Sequence, residues 1–152
     1  MLQRLFTVLI AGCFAASFAV PVAAQSSNIE TVEGPGQGER STLTITPHVL
    51  TDDVSARAVA VKRPNSTRWA LTLIGIARTD SLGLTLGNES LPIEDISRPD
   101  EGEVGPTRAY LSQETFLTIA DAPEVRLHIG EATTTFPEQM RTEMQQIFDD
   151  VL

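Results

Sequence analysis

One stretch of the chain, residues 67–77 (TRWALTLIGIA), reads as a strand that is apolar on both faces. Trp69 and Leu71 point to one side of such a strand, whereas Ala70 and Ile74 point to the other side. A strand of this kind is central in its sheet or is covered by a helix on one face. The segment therefore predicts a central strand in a layered domain.

Shorter strand patterns lie on both sides of this segment. Alternation of apolar and polar residues predicts further strands at 42–49, 54–62, 82–86, 90–93, 108–111, 124–129 and 132–136. Pro47 lies within the first of them and indicates an edge strand or a break. Gly87, Asn88 and Glu89 form the turn of a predicted hairpin. Residues 96–106 are a polar loop, rich in acidic residues, glycine and proline.

Two helices are predicted late in the chain. Ser112 can cap the first, Glu114 suits its positive amino-terminal end, and Pro123 ends it. Pro137 opens the second. The apolar stripe of the second helix, more typical of a core than of a partner groove, comprises Met140, Met144, Ile147, Phe148 and Val151. Strands first and helices late predict an α+β fold: a mostly antiparallel β-sheet or small sandwich of seven or eight short strands, one short helix and one C-terminal amphipathic helix.

Residues 1–24 have the organisation of a secretory signal peptide. Arg4 gives a short positive region, residues 5–20 form an uncharged apolar run, and small residues precede a cleavage position after Ala24. The apolar run is 16 residues long, whereas a membrane-spanning helix needs roughly 20. We therefore expect an exported protein, periplasmic or extracellular, without a transmembrane segment in its mature part.

A second processing route is open at the same end of the chain. Residues 10–13 (IAGC) resemble the lipobox of bacterial lipoproteins, in which Cys13 would be acylated and become the first mature residue. The sequence after Cys13 stays apolar through Val22, whereas a lipoprotein usually turns polar at once. The pattern favours cleavage after Ala24, with lipid anchoring through Cys13 as the alternative.

Composition limits what the mature chain can do. The formal net charge of the full sequence is −9 and argues against a nucleic-acid partner, because phosphate binding needs a basic face. Cys13 is the only cysteine, so a disulfide framework and a thiolate zinc site are excluded. Residues 25–41 are polar and rich in glycine, which predicts a disordered linker. Residues 42–152 are then a single globular domain.

The part of the chain from Trp69 onward resembles a group of uncharacterised exported bacterial proteins. The shared pattern is a Trp-bearing strand, a hairpin, an S-x-E-x-L-x-x-I-A-x-A-like helix, a V-x-L-x-I-G strand and a C-terminal helix. In this chain the pattern corresponds to Trp69-Ala70-Leu71, Gly87-Asn88-Glu89, residues 109–122 and residues 125–130. These motifs are structural, so the resemblance implies the fold and no activity.

Catalytic motifs are missing from the sequence. It contains no G-x-S-x-G elbow, Walker loop, G-x-G-x-x-G or calcium-binding D-x-D-x-D-G loop, and we expect no cofactor and no catalytic residue that spacing alone can name. His48 and His128 alternate outward on strands, which is typical of solvated histidines. A metal site shared with Asp52 or Asp53 is the alternative, although the pattern favours no metal.

These observations predict a non-catalytic module that binds an envelope protein or a small ligand, through a sheet face or the 96–106 loop. Arg57, Arg63, Arg68 and Arg78 form either a local basic patch or scattered surface charge. The candidates for contact with a ligand or partner are Arg68, Arg78 and His128. The alternative function is a small periplasmic hydrolase that uses a carboxylate or His128.

Overall fold

The computed structural model describes residues 28–152, which form eleven strands and two helices. The signal-peptide and lipidation predictions at Ala24 and Cys13 lie outside the described residues. The elements are β1 (Ile29–Glu33), β2 (Arg40–Thr44), β3 (His48–Val49), β4 (Ser55–Arg63), β5 (Ser66–Ile74), β6 (Leu82–Leu86), β7 (Glu89–Leu91), β8 (Asp95–Ser97), β9 (Thr107–Leu111), α1 (Gln113–Asp121), β10 (Arg126–Ile129), β11 (Ala132–Thr135) and α2 (Glu138–Val151).

The strands form two antiparallel sheets. The larger sheet has the order β1-β2-β4-β5-β9-β8, and β3 also pairs with β4. The smaller sheet has the order β11-β10-β6-β7. Strand β5 lies between β4 and β9, which confirms that the segment apolar on both faces is a central strand.

The core lies on one face of the larger sheet, where the residues of β4 are small. Ala56, Ala58 and Ala60 are completely buried there, and helix α2 contacts β4 and β2. Because alanine side chains are short, the helix can approach the sheet closely and fill the space with its own methionines, as native packing density requires. Val59 and Val61 therefore lie on the opposite face of the sheet.

Aromatic contacts join β5 to both helices. The ring of Trp69 lies 4.9 Å from that of Phe116 on α1 and 5.3 Å from that of Phe148 on α2, measured between ring centroids. Leu84 and Leu127 of the smaller sheet are buried in the same core cluster. The smaller sheet and the two helices therefore share one core with the inner face of the larger sheet.

The α+β class is confirmed, with mostly antiparallel strands, one short helix and one C-terminal helix. The Ser112 cap is also confirmed, because its Oγ accepts a hydrogen bond from the Thr115 amide at 3.0 Å. The stripe of α2 is in the core: Met140, Met144, Ile147 and Val151 are buried, and Phe148 packs against them. No helix in residues 28–152 is long and apolar enough to cross a membrane.

The prediction of a disordered linker at 25–41 was wrong for the described part of that segment. Residues 29–33 form β1 and pair with β2 along its whole length, from Ile29 with Thr44 to Glu33 with Arg40. Glycines between the two strands form the connecting turn instead of a flexible spacer, since the Gly34 amide donates to the Glu39 carbonyl at 2.8 Å.

Two strand boundaries also differ from the sequence prediction. The predicted strand 42–49 is broken into β2 and β3 on either side of residues 45–47, as Pro47 allows. The predicted loop 96–106 begins within β8, which pairs with β9. Short edge strands such as β8 have too few residues to show a period in the sequence.

Candidate functional site

No strand or helix of residues 28–152 packs on the face of the larger sheet opposite the core, although Ala70 and Thr72 at its centre are only 4% and 9% exposed. We call this face the outer face. Its central residues, identified by strand alternation and by cross-strand register, are Ser41, Leu43, Arg57, Val59, Val61, Arg68, Ala70, Thr72, Ile74, Arg108 and Tyr110. None of them belongs to the core cluster. A sheet face on which no strand or helix packs, and which carries valine, leucine and tyrosine, is a candidate interaction surface.

Register arranges these residues in two rows across the strands. We call the first the head row: Arg57 of β4 is opposite Thr72 of β5, and Thr72 is opposite Arg108 of β9. In the apolar row, the neighbours across the sheet are Leu43, Val59, Ala70 and Tyr110. The rows are two residues apart along each strand, which is about 7 Å. A polar line with two cations therefore lies directly beside an apolar line.

A cavity of about 730 Å³ lies over these rows. Pro35 and Glu39 from the β1–β2 connection line one side of it, and Pro106 lines another. Glu39 Oε2 accepts a hydrogen bond from Arg63 Nε at 2.8 Å, so the acidic group at the rim already has a cationic partner. Small-molecule sites in proteins have volumes of this order, about 300–1,000 Å³.

Arg57 lines this cavity and has one unsatisfied donor. Its Nε is inaccessible to solvent and has no hydrogen-bond partner among the described residues. A buried donor without an acceptor costs about 1–3 kcal/mol. The structure therefore leaves one donor of the Arg57 guanidinium group, its Nε, without a hydrogen-bond acceptor among the described residues.

Of the three ligand candidates Arg68, Arg78 and His128, only Arg68 lies on the outer face. Its Cζ is 3.9 Å from the centroid of the Tyr110 ring, a cation–π contact that orients Tyr110 at the end of the apolar row. Arg78 lies after β5 beside the 99–105 loop, with its Nη1 3.9 Å from Glu101 Oε2. Arg57, Arg63 and Arg68 thus share one face of the sheet, and Arg78 does not belong to that group.

His128 lies on the smaller sheet, and both of its ring nitrogens have partners. Nε2 is 2.8 Å from the Thr85 hydroxyl and Nδ1 is 3.0 Å from the Thr133 hydroxyl. His48 lies on β3 of the larger sheet, and Asp52 and Asp53 are exposed in the following turn. The structure does not bring the two histidines together with these aspartates. Within residues 28–152, no three His, Cys, Asp or Glu side chains cluster closely enough to hold a metal ion.

The prediction of a solvated His48 was wrong, because its side chain is only 11% exposed. His48 Nε2 lies 2.5 Å from Oε2 of Glu143 on α2. The same carboxylate accepts hydrogen bonds from Gln139 Nε2 at 3.0 Å and from Asn28 Nδ2 at 3.3 Å. Tertiary packing thus places a histidine, a carboxylate and two amides in one cluster at the edge of the core.

This cluster borders a second cavity, of about 600 Å³, which Asn28, Pro47, His48 and Gln139 line. The Nδ1 of His48 is the ring nitrogen that Glu143 does not engage. A carboxylate that orients one nitrogen of a histidine can leave the other to accept a proton. Among residues 28–152, this is the arrangement closest to an acid–base pair.

Sequence reasoning missed both Glu143 and Arg108 as candidates. Glu143 interrupts the apolar stripe of α2, three residues after Met140 and four before Ile147, so a carboxylate at a core position was the available signal. Arg108 could have been found only with the register of β9 against β5.

The chain matches no protein-family model, no curated protein and no solved structure.

Proposed function

We propose that the chain is an exported, non-catalytic binding module of the bacterial envelope, and that the outer face is its binding surface. One observation carries the proposal: Arg57, Arg108 and Tyr110 line a cavity of about 730 Å³ on a sheet face on which no strand or helix of the described residues packs. Export rests on the amino-terminal leader pattern. The occupant that the size of the cavity favours is a small ligand rather than a protein.

The test is photo-crosslinking in the native envelope. Benzoylphenylalanine replaces Tyr110, whose side chain lines the cavity, and in a matched strain it replaces Ala132, which is exposed on the smaller sheet. We expect an adduct of small mass at position 110 and none at position 132. A protein adduct at position 110 would support the outer face as the binding surface, but would show that its occupant is an envelope protein and not a small ligand. No adduct, or equal yields at both positions, would overturn the proposal.

The alternative function, a periplasmic hydrolase, is favoured by the His48–Glu143 pair beside its own cavity. The two threonine partners of His128 make that residue the weaker choice for proton transfer. A panel of ester and glycoside substrates tests this reading on the processed protein. A hydrolase would lose turnover in His48→Ala and keep it in His128→Ala. Absence of turnover across the panel, or equal loss in the two variants, would count against it.

A further inference from the structure

We infer that the ligand of the outer face is a small anionic amphiphile, with a carboxylate or phosphate head at the head row and an aliphatic body along the apolar row. The inference rests on the proposed binding function and adds the chemical class of the occupant. It depends on the juxtaposition of two arginines, a threonine and an apolar line on one sheet face.

The head row has the geometry of an anion clamp. Strands lie about 4.8 Å apart, so the Cα atoms of Arg57 and Arg108 are separated by about 10 Å with Thr72 between them. Long side chains on both sides can turn toward a single anionic group above the threonine hydroxyl. Guanidinium groups suit carboxylates and phosphates because their donors form a planar fork. Arg57 and Arg108 both line the cavity, so both guanidinium groups lie where such an anion would bind.

The apolar row provides the site for the body of the ligand. From Leu43 to Tyr110 it crosses three strand spacings, about 14 Å. Ala70 in this row is small and only 4% exposed, and it lines the cavity together with Val59 and Tyr110. Burial of an aliphatic chain there contributes about 25 cal/mol for each Å² removed from water. An anion without such a chain would leave this half of the surface unused.

Acidic groups near the rows do not oppose an anionic head. Glu39 is the one acidic residue among the described residues that line the cavity, and it is bound to Arg63. Asp95 is opposite Tyr110, at the end of the apolar row, and accepts a hydrogen bond from the Ile96 amide. The surface therefore presents cations at the head row of a chain whose net charge is −9, and this contrast steers an anion toward the face.

Calorimetric titration of the exported, processed protein tests the inference with five probes: decanoate, decyl phosphate, decan-1-ol, acetate and inorganic phosphate. We expect one or both of the anionic amphiphiles to bind, and the two binding constants distinguish a carboxylate head from a phosphate head. Decan-1-ol lacks the anionic head, and acetate and inorganic phosphate lack the long aliphatic chain. We expect each of them to bind at least about tenfold more weakly, as loss of a charge-assisted hydrogen bond or of a buried chain predicts.

Variants assign the binding to the head row. Arg108→Met and Arg57→Met each weaken binding of the amphiphile about tenfold or more, whereas Arg126→Met, an exposed arginine on the smaller sheet, leaves it unchanged. Arg108 is exposed, so its variant keeps the test valid if Arg57→Met does not fold. Equal binding of the alcohol, or unchanged binding in Arg108→Met, would overturn the inference. Failure of all five probes would overturn the ligand class, and an adduct at position 110 would still support the binding surface.

Discussion

The Nε2 of His48 lies 2.5 Å from Oε2 of Glu143, although the two residues are 95 positions apart in the sequence. Their contact joins strand β3 to helix α2, and Asn28 and Gln139 bring further donors to the same carboxylate. Both side chains are largely buried. This cluster therefore fixes the amino-terminal end of the described chain against its last helix.

We expect Glu143→Gln to lower the free energy of unfolding by about 1–3 kcal/mol, because an amide cannot accept from all three donors and leaves buried groups unpaired. Urea denaturation of the processed protein, followed by the fluorescence of the single tryptophan, Trp69, measures the change. Glu131→Gln makes the same chemical change at an exposed position, and there we expect a change within about 0.5 kcal/mol. Equal effects of the two substitutions would show that the buried cluster does not stabilise the fold.

The contact between Trp69 and Phe116 predicts a large cost for removing the phenyl ring. Phe116 is completely buried in the core, so Phe116→Ala leaves a cavity and should destabilise the domain by roughly 3–5 kcal/mol. The same urea titration measures this, and the emission of Trp69 should also shift to longer wavelength in the native state. Val104→Ala, at a fully exposed position, is the control. A cost below about 1 kcal/mol at Phe116 would contradict the packing described.

Substitutions at two glycines with positive φ allow the cost of backbone strain to be measured separately from the cost of a steric clash. At Gly75 (φ +92°) a Cβ would lie 2.0 Å from the Asp53 carbonyl oxygen, whereas at Gly102 (φ +85°) nothing lies within 4 Å. Gly102→Ala should cost about 1–2 kcal/mol from φ alone. Gly75→Ala should cost roughly 1–3 kcal/mol more, because backbone must move. Chemical denaturation of both variants tests this, and similar costs would exclude the close approach.

Removal of the Ser112 cap tests the start of α1. The Ser112 side chain accepts a hydrogen bond from the Thr115 amide at 3.0 Å. Ser112→Ala should therefore destabilise the domain by about 1 kcal/mol, whereas Ser112→Asp should retain most of the stability. Thermal unfolding of the three proteins gives the comparison. If Ser112→Asp were as unstable as Ser112→Ala, the hydroxyl would act through another contact.

Hydrogen exchange tests whether residues 29–33 form an edge strand. Peptides from this segment should exchange more slowly than peptides from the 99–105 loop, because β1 pairs with β2 from Ile29 to Glu33. Exchange followed by mass spectrometry measures both segments in one experiment. Equally fast exchange in the two segments would support the linker that the sequence predicts.

Local patterns in the sequence were sufficient for much of the fold. The central strand, predicted at 67–77 and observed as β5 (Ser66–Ile74), depends on alternation. The cap at Ser112 depends on one side chain beside one amide, and the stripe of α2 depends on helical spacing. Each of these features involves only residues that are close to one another along the chain. The hairpin at Gly87 is another local case, since β6 and β7 are joined directly through it.

Sequence patterns could not predict the edge strand β1 or which face of β4 points to the core. Residues 29–33 have no apolar period, so β1 is recognised only when β2 lies beside it. In β4 the valines are the more apolar residues, yet the alanines face the core, because α2 packs closely against that side of the sheet. Apolarity alone therefore selects the wrong face of this strand.

By itself, the sequence determined the α+β class, the central strand and the two helices, because hydrophobic periodicity and capping act between residues that are close along the chain. Only the tertiary structure decided that Arg57, Thr72 and Arg108 lie in one row and that His48 meets Glu143. The reason is strand register and helix docking. A shift of one residue in register would move a whole row to the other face, and nothing local to Arg57 or Glu143 specifies that alignment.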